Sequence, residues 1–313
     1  MAEKKPKRKL HLALGGGGAR GLAHIGVLKV MEKENLPIEK ISGTSGGAVI
    51  AAMYAQTGST QKVYDKMQQF IHSDAFKDFG LTLFKEEKNP RSSYWENVEN
   101  FIGYLKTRLA FTKVLIAESI FSSQRFMELI SQLFDDGNIE QCHLPLQITA
   151  VNVDTGEDIL IERGNLIKAV AASSAIPGLI TPVEFNGMRL IDGAVLNAVP
   201  IICANRDREV LVGVDVSRCL QSNYPKKLAL DYIFRAEEIT TFRLNQTHLQ
   251  KAEILIRPSE VRHRHWADFS HLDEFVASGE KATNEKLAQL KHAMTVRDSR
   301  LKIWLRNKIC SQY

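Results

Sequence analysis

The chain has few of the residues and runs that would mark a disulfide-stapled, metal-built or membrane-spanning protein. Its four cysteines, Cys142, Cys203, Cys219 and Cys310, are far apart and form no C-x-x-C pair. That spacing suggests neither a zinc site nor a disulfide framework, and it fits a reducing, cytoplasmic setting. No stretch approaches the roughly 18 apolar residues needed to span a bilayer. An integral membrane protein is therefore not expected, while peripheral contact with a membrane surface stays open. The apolar residues ahead of the first glycines are too few for a signal-peptide core. Residues 1–9, with Lys4, Lys5, Lys7, Arg8 and Lys9, read instead as a solvated basic tail. The net charge of +5 is modest, and no nucleic-acid partner is expected.

What is present is ordinary for a globular protein: 44% hydrophobic and 25% charged residues over 313 positions. That length holds one large α/β domain or two smaller ones. Residues 10–14 read as a buried strand, and 21–35 as a helix with Ala23, Val27, Val30 and Met31 at helical spacing;. Pro37 stops that helix, residues 38–41 form a second strand, and 46–56 are small and apolar enough for a buried helix;. This alternation predicts a parallel sheet with right-handed crossovers. Residues 60–120 are aromatic-rich and lack strand alternation, so they read as a helical insertion, either packed on the core or serving as a lid. Sheet character returns at 146–153, 159–161, 189–191 and 210–216, and a small-residue helix lies at 166–174. The remainder reads as helical, with a basic amphipathic helix over 279–306;. The absence of repeats and linkers favours a single domain: the tail, a core over 10–216, and a helical extension over 217–313.

Two glycine-centred turns carry the chemistry. The first is Gly15-Gly16-Gly17-Gly18-Ala19-Arg20-Gly21, after the first strand. Gly16-x-Gly18-x-x-Gly21 matches a dinucleotide fingerprint, which also needs an acidic residue at the end of the second strand. That strand instead runs into Gly43-Thr44-Ser45-Gly46-Gly47, and the first loop has no Lys-Ser/Thr of a P-loop. What remains is a set of backbone N–H donors suited to negative charge.

The second turn, Gly43-x-Ser45-x-Gly47, lies between a strand and a helix, where a serine hydroxyl is pushed out of the fold. Glycines needed only for the backbone, with Ser45 as a helix cap, are the plainer reading of such a turn. An ordinary α/β-hydrolase places its serine after several strands, later than residue 45. His248, His263, His265, His271 and His292 follow residue 192, yet none sits beside a comparable loop signal. His263 and His265 alternate like metal ligands, without an evident third. Asp192, before Gly193-Ala194, sits at a strand end where active sites of parallel sheets collect.

Taken in order, the glycine loop, the Ser45 turn and Asp192-Gly193-Ala194 resemble the patatin-like phospholipase family. Ala172-Ser173-Ser174-Ala175-Ile176-Pro177 and Asn197-Ala198-Val199-Pro200 extend the resemblance, which covers about residues 10–216. It implies a three-layer α/β/α fold with a mostly parallel central sheet and a Ser–Asp dyad. Ser45 would be the nucleophile and Asp192 the base, and N–H groups among Gly17, Gly18, Ala19 and Arg20 would form the oxyanion hole. Family members often carry an acid where this chain has Gly15 and a glycine where it has Ala194, departures the family tolerates. The expected reaction is hydrolysis of lipid carboxylic esters without metal or cofactor. The alternatives are a carboxylesterase for small soluble esters and a weakly active regulatory or lipid-binding protein. Arg20 has two readings, holding the glycine loop or meeting a lipid phosphate. None of these patterns sets an oligomeric state.

Overall fold

The computed structural model describes residues 8–80, 119–201, 209–220 and 229–295. Strand β1 (Lys9–Leu14) lies inside the sheet, paired in parallel with β2 (Ile38–Gly43) on one side and β7 (Glu209–Val214) on the other. Its period-2 alternation divides the core. Leu10, Leu12 and Leu14 join the main hydrophobic cluster, whereas Ala13 joins a smaller one with Val199, Ile201, Leu211 and Leu249. A strand covered on both faces needs the near-continuous apolar run seen in the sequence.

Five more strands complete the sheet: β3 (Leu146–Asn152), β4 (Asp158–Ile161), β5 (Val183–Phe185), β6 (Met188–Asp192) and β8 (Ile254–Ile256). Hydrogen-bonded neighbours run β5-β6-β3-β2-β1-β7-β8, with β4 also paired to β3. The β3–β2, β2–β1, β1–β7 and β7–β8 pairs are parallel, and the pairs involving β4, β5 and β6 are antiparallel. The sheet is therefore mixed but mostly parallel, and helices flank it, as expected.

Strand β3 organises the site. Ile148 lies opposite both Gly43 of β2 and Ile161 of β4, and Ala150 opposite both Ile159 of β4 and Asp192 of β6. A strand has one neighbour at each edge, so β4 takes one edge while β2 and β6 share the other. β2 runs parallel to β3 and β6 antiparallel, so the two strands run toward each other. Gly43 and Asp192 are their converging ends. The strand carrying Asp192 is thus antiparallel, unlike the parallel strand end expected for it.

Helices α1 (Ala23–Lys33), α2 (Gly46–Thr57) and α6 (Leu166–Ser173) pack into the main cluster. Helix α2 is buried over Gly47, Ala48, Ile50, Ala51, Ala52, Met53 and Ala55, which accounts for its small, apolar composition. α3 (Thr60–His72), α4 (Asp74–Phe79) and α5 (Ser123–Ile130) bury Phe70, Phe76, Phe79 and Phe126 in the same cluster. The aromatic start of the expected insertion is therefore core. Residues 81–118, on which the lid expectation chiefly rests, lie outside the described residues. α7 (Ala229–Leu249) ends against the smaller cluster, and α8 (Leu272–Thr295) packs along α1.

Two expectations change at the ends of the core. Arg8, expected in a solvated tail, is 3% exposed; it donates to both carboxylate oxygens of Glu253 and to the Glu209 carbonyl, and Lys9 opens β1. The segment after residue 216, expected to be helical, also contributes β8, because Ile254 and Ile256 bury their side chains beside β7. No helix among the described residues is long and apolar enough to cross a membrane.

Candidate active site

Ser45 sits in the turn between β2 and α2 with φ 53° and ψ −126°. A positive φ is costly for a side-chain-bearing residue and persists only where the surroundings enforce it. The enforcement is visible. A Cβ on Gly47 would lie 2.2 Å from the Leu14 carbonyl oxygen, so only glycine lets α2 begin flush against the end of β1. The Thr44 hydroxyl donates to the Asn197 carbonyl at 2.9 Å and pairs with the Thr149 hydroxyl at 2.7 Å. The Ser45 N–H donates to Ser173 Oγ at 2.9 Å.

Asp192 meets this turn from β6. Ser45 Oγ donates to Asp192 Oδ2 at 2.8 Å, and the Ala194 N–H donates to Oδ1 at 2.8 Å. The Asp192 N–H donates to the Ala175 carbonyl at 2.9 Å, and Gly193 passes against the Thr149 backbone. Asp192 is only 5% exposed. Burial pushes its pKa up to about 6, against the opposing pull of the Ala194 and Ser45 hydrogen bonds;. The carboxylate is therefore ionised at neutral pH, yet far more basic than an exposed aspartate. None of the five downstream histidines hydrogen-bonds either residue among the described contacts. The His263–His265 pair recruits no third ligand: among the described residues, no group of three His, Cys, Asp or Glu could hold a metal.

The glycine loop lies beside Ser45, and most of its backbone is committed. The N–H groups of Gly15 and Gly16 donate to Val214 and Ala198 carbonyls at 3.0 and 2.7 Å. Ala19 and Arg20, both expected as oxyanion donors, are committed as well. The Ala19 N–H donates to the Trp266 carbonyl at 2.6 Å and the Arg20 N–H to the Gly17 carbonyl at 3.2 Å, within the 3₁₀ turn Gly18–Leu22. The expected set of four narrows to Gly17 and Gly18, whose N–H groups take no partner among the described residues. Gly21 packs on the Gly46 backbone and brings the loop against the serine turn. His24 Nε2 donates to the Gly15 carbonyl at 2.7 Å; burial lowers its pKa to about 4, so the ring is neutral. Arg20 reaches the Arg264 carbonyl through Nη1 at 3.3 Å, consistent with a loop-holding role.

Two cavities meet at Ser45 and share Gly18, Ile176 and Trp266. One is apolar, lined by Val49, Met67, Phe70, Phe126, Leu129 and Leu179 among others. The other mixes apolar residues with charged ones and also touches Asp192, Arg20, Arg218, Arg264 and His265. The sequence reading missed Ser173, Ala175, Thr149 and Trp266 as supports. The first two lie in the quoted Ala172–Pro177 stretch, which therefore holds both Ser45 and Asp192.

A family model described as patatin-like phospholipase matches residues 12–204. The chain is 30% identical over 223 residues to the NTE family protein MT2641 of Mycobacterium tuberculosis, covering 70% of this chain and 32% of that protein. It is 26% identical over 206 residues to the lysophospholipase NTE1 of Meyerozyma guilliermondii, covering 66% of this chain and 12% of that one. The chain thus spans a third or less of the length of these two relatives. Among solved structures it is similar to VipD from Legionella pneumophila, with 15% identity, a TM-score of 0.42, and coverage of 91% of this chain and 67% of that one. With its glycine loop, serine turn and downstream aspartate all inside the matched segment, the chain belongs to the patatin-like phospholipase family.

Proposed function

We propose that the protein is a serine acyl hydrolase that cleaves carboxylic ester bonds of lipids, of phospholipase A or lysophospholipase type, through a Ser45–Asp192 dyad. The observation that carries this reading is the 2.8 Å hydrogen bond from Ser45 Oγ to a buried carboxylate at the mouth of an apolar cavity. Ser45 Oγ attacks the ester carbonyl as its proton passes to Asp192 Oδ2. The carbonyl oxygen becomes an oxyanion facing the Gly17 and Gly18 N–H groups, where one such donor is worth ~2.7–4 kcal/mol. Collapse expels the alcohol, which takes the proton from Asp192, and leaves an acyl-Ser45 ester. Asp192 then accepts a proton from water as the water attacks. Release of the fatty acid returns that proton to Ser45 Oγ.

The apolar cavity is the place for the acyl chain, and its aliphatic and aromatic lining favours lipid over small soluble esters. The acyl ester is the partner in this reading, reached by peripheral contact with a membrane surface. The cysteine usage is in keeping with a cytoplasmic setting. The lysophospholipase name of one relative supports the same substrate class.

Labelling with a fluorophosphonate probe tests the nucleophile, because the probe phosphonylates an activated serine. Wild type is expected to label and Ser45→Ala to remain unlabelled and inactive with an unchanged melting temperature. Near-native ester turnover by Ser45→Ala would sink the mechanism. An ester series from short to long chains, with and without vesicles, separates a lipid hydrolase from a soluble esterase.

A further inference from the structure

Asp215 follows the end of β7 and is fully buried, yet it lines neither cavity at Ser45. Its Oδ1 accepts from the Ser217 N–H at 3.0 Å and from the Ser217 hydroxyl, and its Oδ2 from Arg257 Nε at 3.2 Å. Arg262 Nη2 stands 3.6 Å from Oδ2, and Arg262 Nε donates to the Ser217 carbonyl at 2.8 Å. The Asp215 N–H donates to the Ile256 carbonyl at 2.9 Å. One carboxylate thus draws together residues 215–217 after β7, Arg257 after β8, and Arg262 in the 3₁₀ turn Glu260–His263. A buried carboxylate is costly unless paired and hydrogen-bonded, and here both oxygens have partners.

These stretches support the glycine loop from two sides. The Gly15 N–H donates to the Val214 carbonyl at 3.0 Å. A Cβ on Gly17 would lie 2.9 Å from Val216 Cγ2 and 3.3 Å from the Val216 carbonyl oxygen. Residues 214–216 therefore back the loop at Gly17, one of its two open donors. On the other side the Trp266 carbonyl takes the Ala19 N–H at 2.6 Å and passes against Gly18. Trp266 follows Arg262 closely, and the Arg264 N–H donates to the Val261 carbonyl at 2.9 Å within that stretch. Asp215 is the side chain that bridges the two supports. Oxyanion donors act when they are fixed before the reaction, and a misplacement of about 1 Å can lower the rate on the order of 100-fold.

We propose that Asp215 is a positioning residue for the oxyanion hole: by joining 215–217 to 257–266 it fixes the Gly17 and Gly18 N–H groups toward the reacting carbonyl. The proposal rests on the hydrolase reading and adds to it a residue beyond 204, where the family match ends. A role in stability alone forecasts something different, a lower melting temperature with kcat unchanged.

The test uses the full chain, one long-chain ester, and a trifluoromethyl ketone carrying the same acyl chain. As the ketone binds, Ser45 Oγ bonds to its carbonyl carbon, the Ser45 proton passes to Asp192, and the carbonyl π pair becomes an oxyanion in the hole. Its affinity reads the hole, whereas inhibition by the fatty alcohol of equal length reads the apolar cavity. Asp215→Asn is expected to lower kcat by about tenfold or more, with KM within about twofold of wild type. Ketone affinity should fall by a similar factor and alcohol inhibition should stay as in wild type. Arg262→Gln should act in the same direction, and Arg262→Lys, which keeps a cation facing Asp215, should recover most of the loss. Unchanged kcat and ketone affinity in folded Asp215→Asn overturn the proposal, whatever the melting temperature. A loss shared equally by ketone and alcohol also overturns it, because that marks general disruption of the site. If Asp215→Asn fails to fold, the Arg262 pair decides: loss in Gln with recovery in Lys supports the role, and equal values in the two variants overturn it. If wild type turns over no ester, the hydrolase reading fails and this role with it; an active wild type with an unchanged Asp215→Asn removes the role alone.

Discussion

The Trp266 carbonyl accepts the Ala19 N–H at 2.6 Å, so a residue outside the matched family segment clamps the glycine loop. The clamp leaves Gly17 and Gly18 as the loop's open donors and brings Trp266 close to Gly18. A Cβ on Gly18, at φ 57°, would lie 2.4 Å from that same Trp266 oxygen.

Gly18 and Gly17 are therefore expected to respond differently to substitution. Gly18→Ala combines a backbone clash with an unfavourable φ and should cost roughly 1–3 kcal/mol, read as a lowered melting temperature. At Gly17 an added Cβ would chiefly meet the Val216 side chain, at 2.9 Å. Gly17→Val should therefore lower kcat more than stability. Loss of folding with unchanged specific activity would count against the oxyanion assignment.

Asp192 sets a pH dependence of opposite sense for activity and stability. With its pKa near 6, kcat/KM should rise with pH through about 6 and then level off as the carboxylate becomes available as a base;. The folded protein holds this proton between about pH 4 and 6, where the unfolded chain has released it. Its contribution to stability thus falls as pH rises across that window. Asp192→Asn should lower turnover at least ~100-fold. It should also raise the melting temperature at pH 8 relative to wild type, and much less at pH 4. Equal melting temperatures at pH 8 would show that the burial of this charge is not costly.

Three histidines, His11 and His24 buried and His265 half-buried, act in the other direction. His11 is lowered to about 3, and His24 and His265 to about 4, each mainly by burial. Each contributes stability above the unfolded pKa near 6.5 and loses it as pH falls toward the folded value. Between pH 7 and 5 the loss is about 2 kcal/mol for each, more than Asp192 regains over the same range. Urea unfolding should therefore show a less stable protein at pH 5 than at pH 7, and equal stability at the two values would refute the neutral-histidine assignment.

The apolar cavity gives a prediction about chain length. Val49 lines it from α2, close in sequence to Ser45. Val49→Phe should shift the preferred acyl chain to shorter esters while leaving hydrolysis of the shortest ones close to wild type. An unaltered chain-length profile would place the acyl chain elsewhere.

Much of the core was legible in the residue order because its signals are local. The apolar run of β1, the stop at Pro37 and the small residues of α2 act within a few positions, and each formed the expected element. Arg8 and β8 were misread for the converse reason. A lysine- and arginine-rich start looks solvated until Glu253, more than two hundred residues away, neutralises Arg8. Ile254–Ile256 is too short to announce a strand without β7 beside it.

The sequence by itself determined which residues are equipped for the chemistry: a serine in a glycine turn, a second glycine turn rich in N–H groups, and an aspartate ahead of a glycine. Only the tertiary structure decided their relation. β2 and β6 share one edge of β3 and run toward each other, which brings Ser45 and Asp192 within hydrogen-bond distance. The fold also decided which N–H groups stay open, since Ala19 is taken by a carbonyl far along the chain. Such facts depend on strand register and burial. A hydrogen bond between distant residues leaves no trace in the local pattern of either.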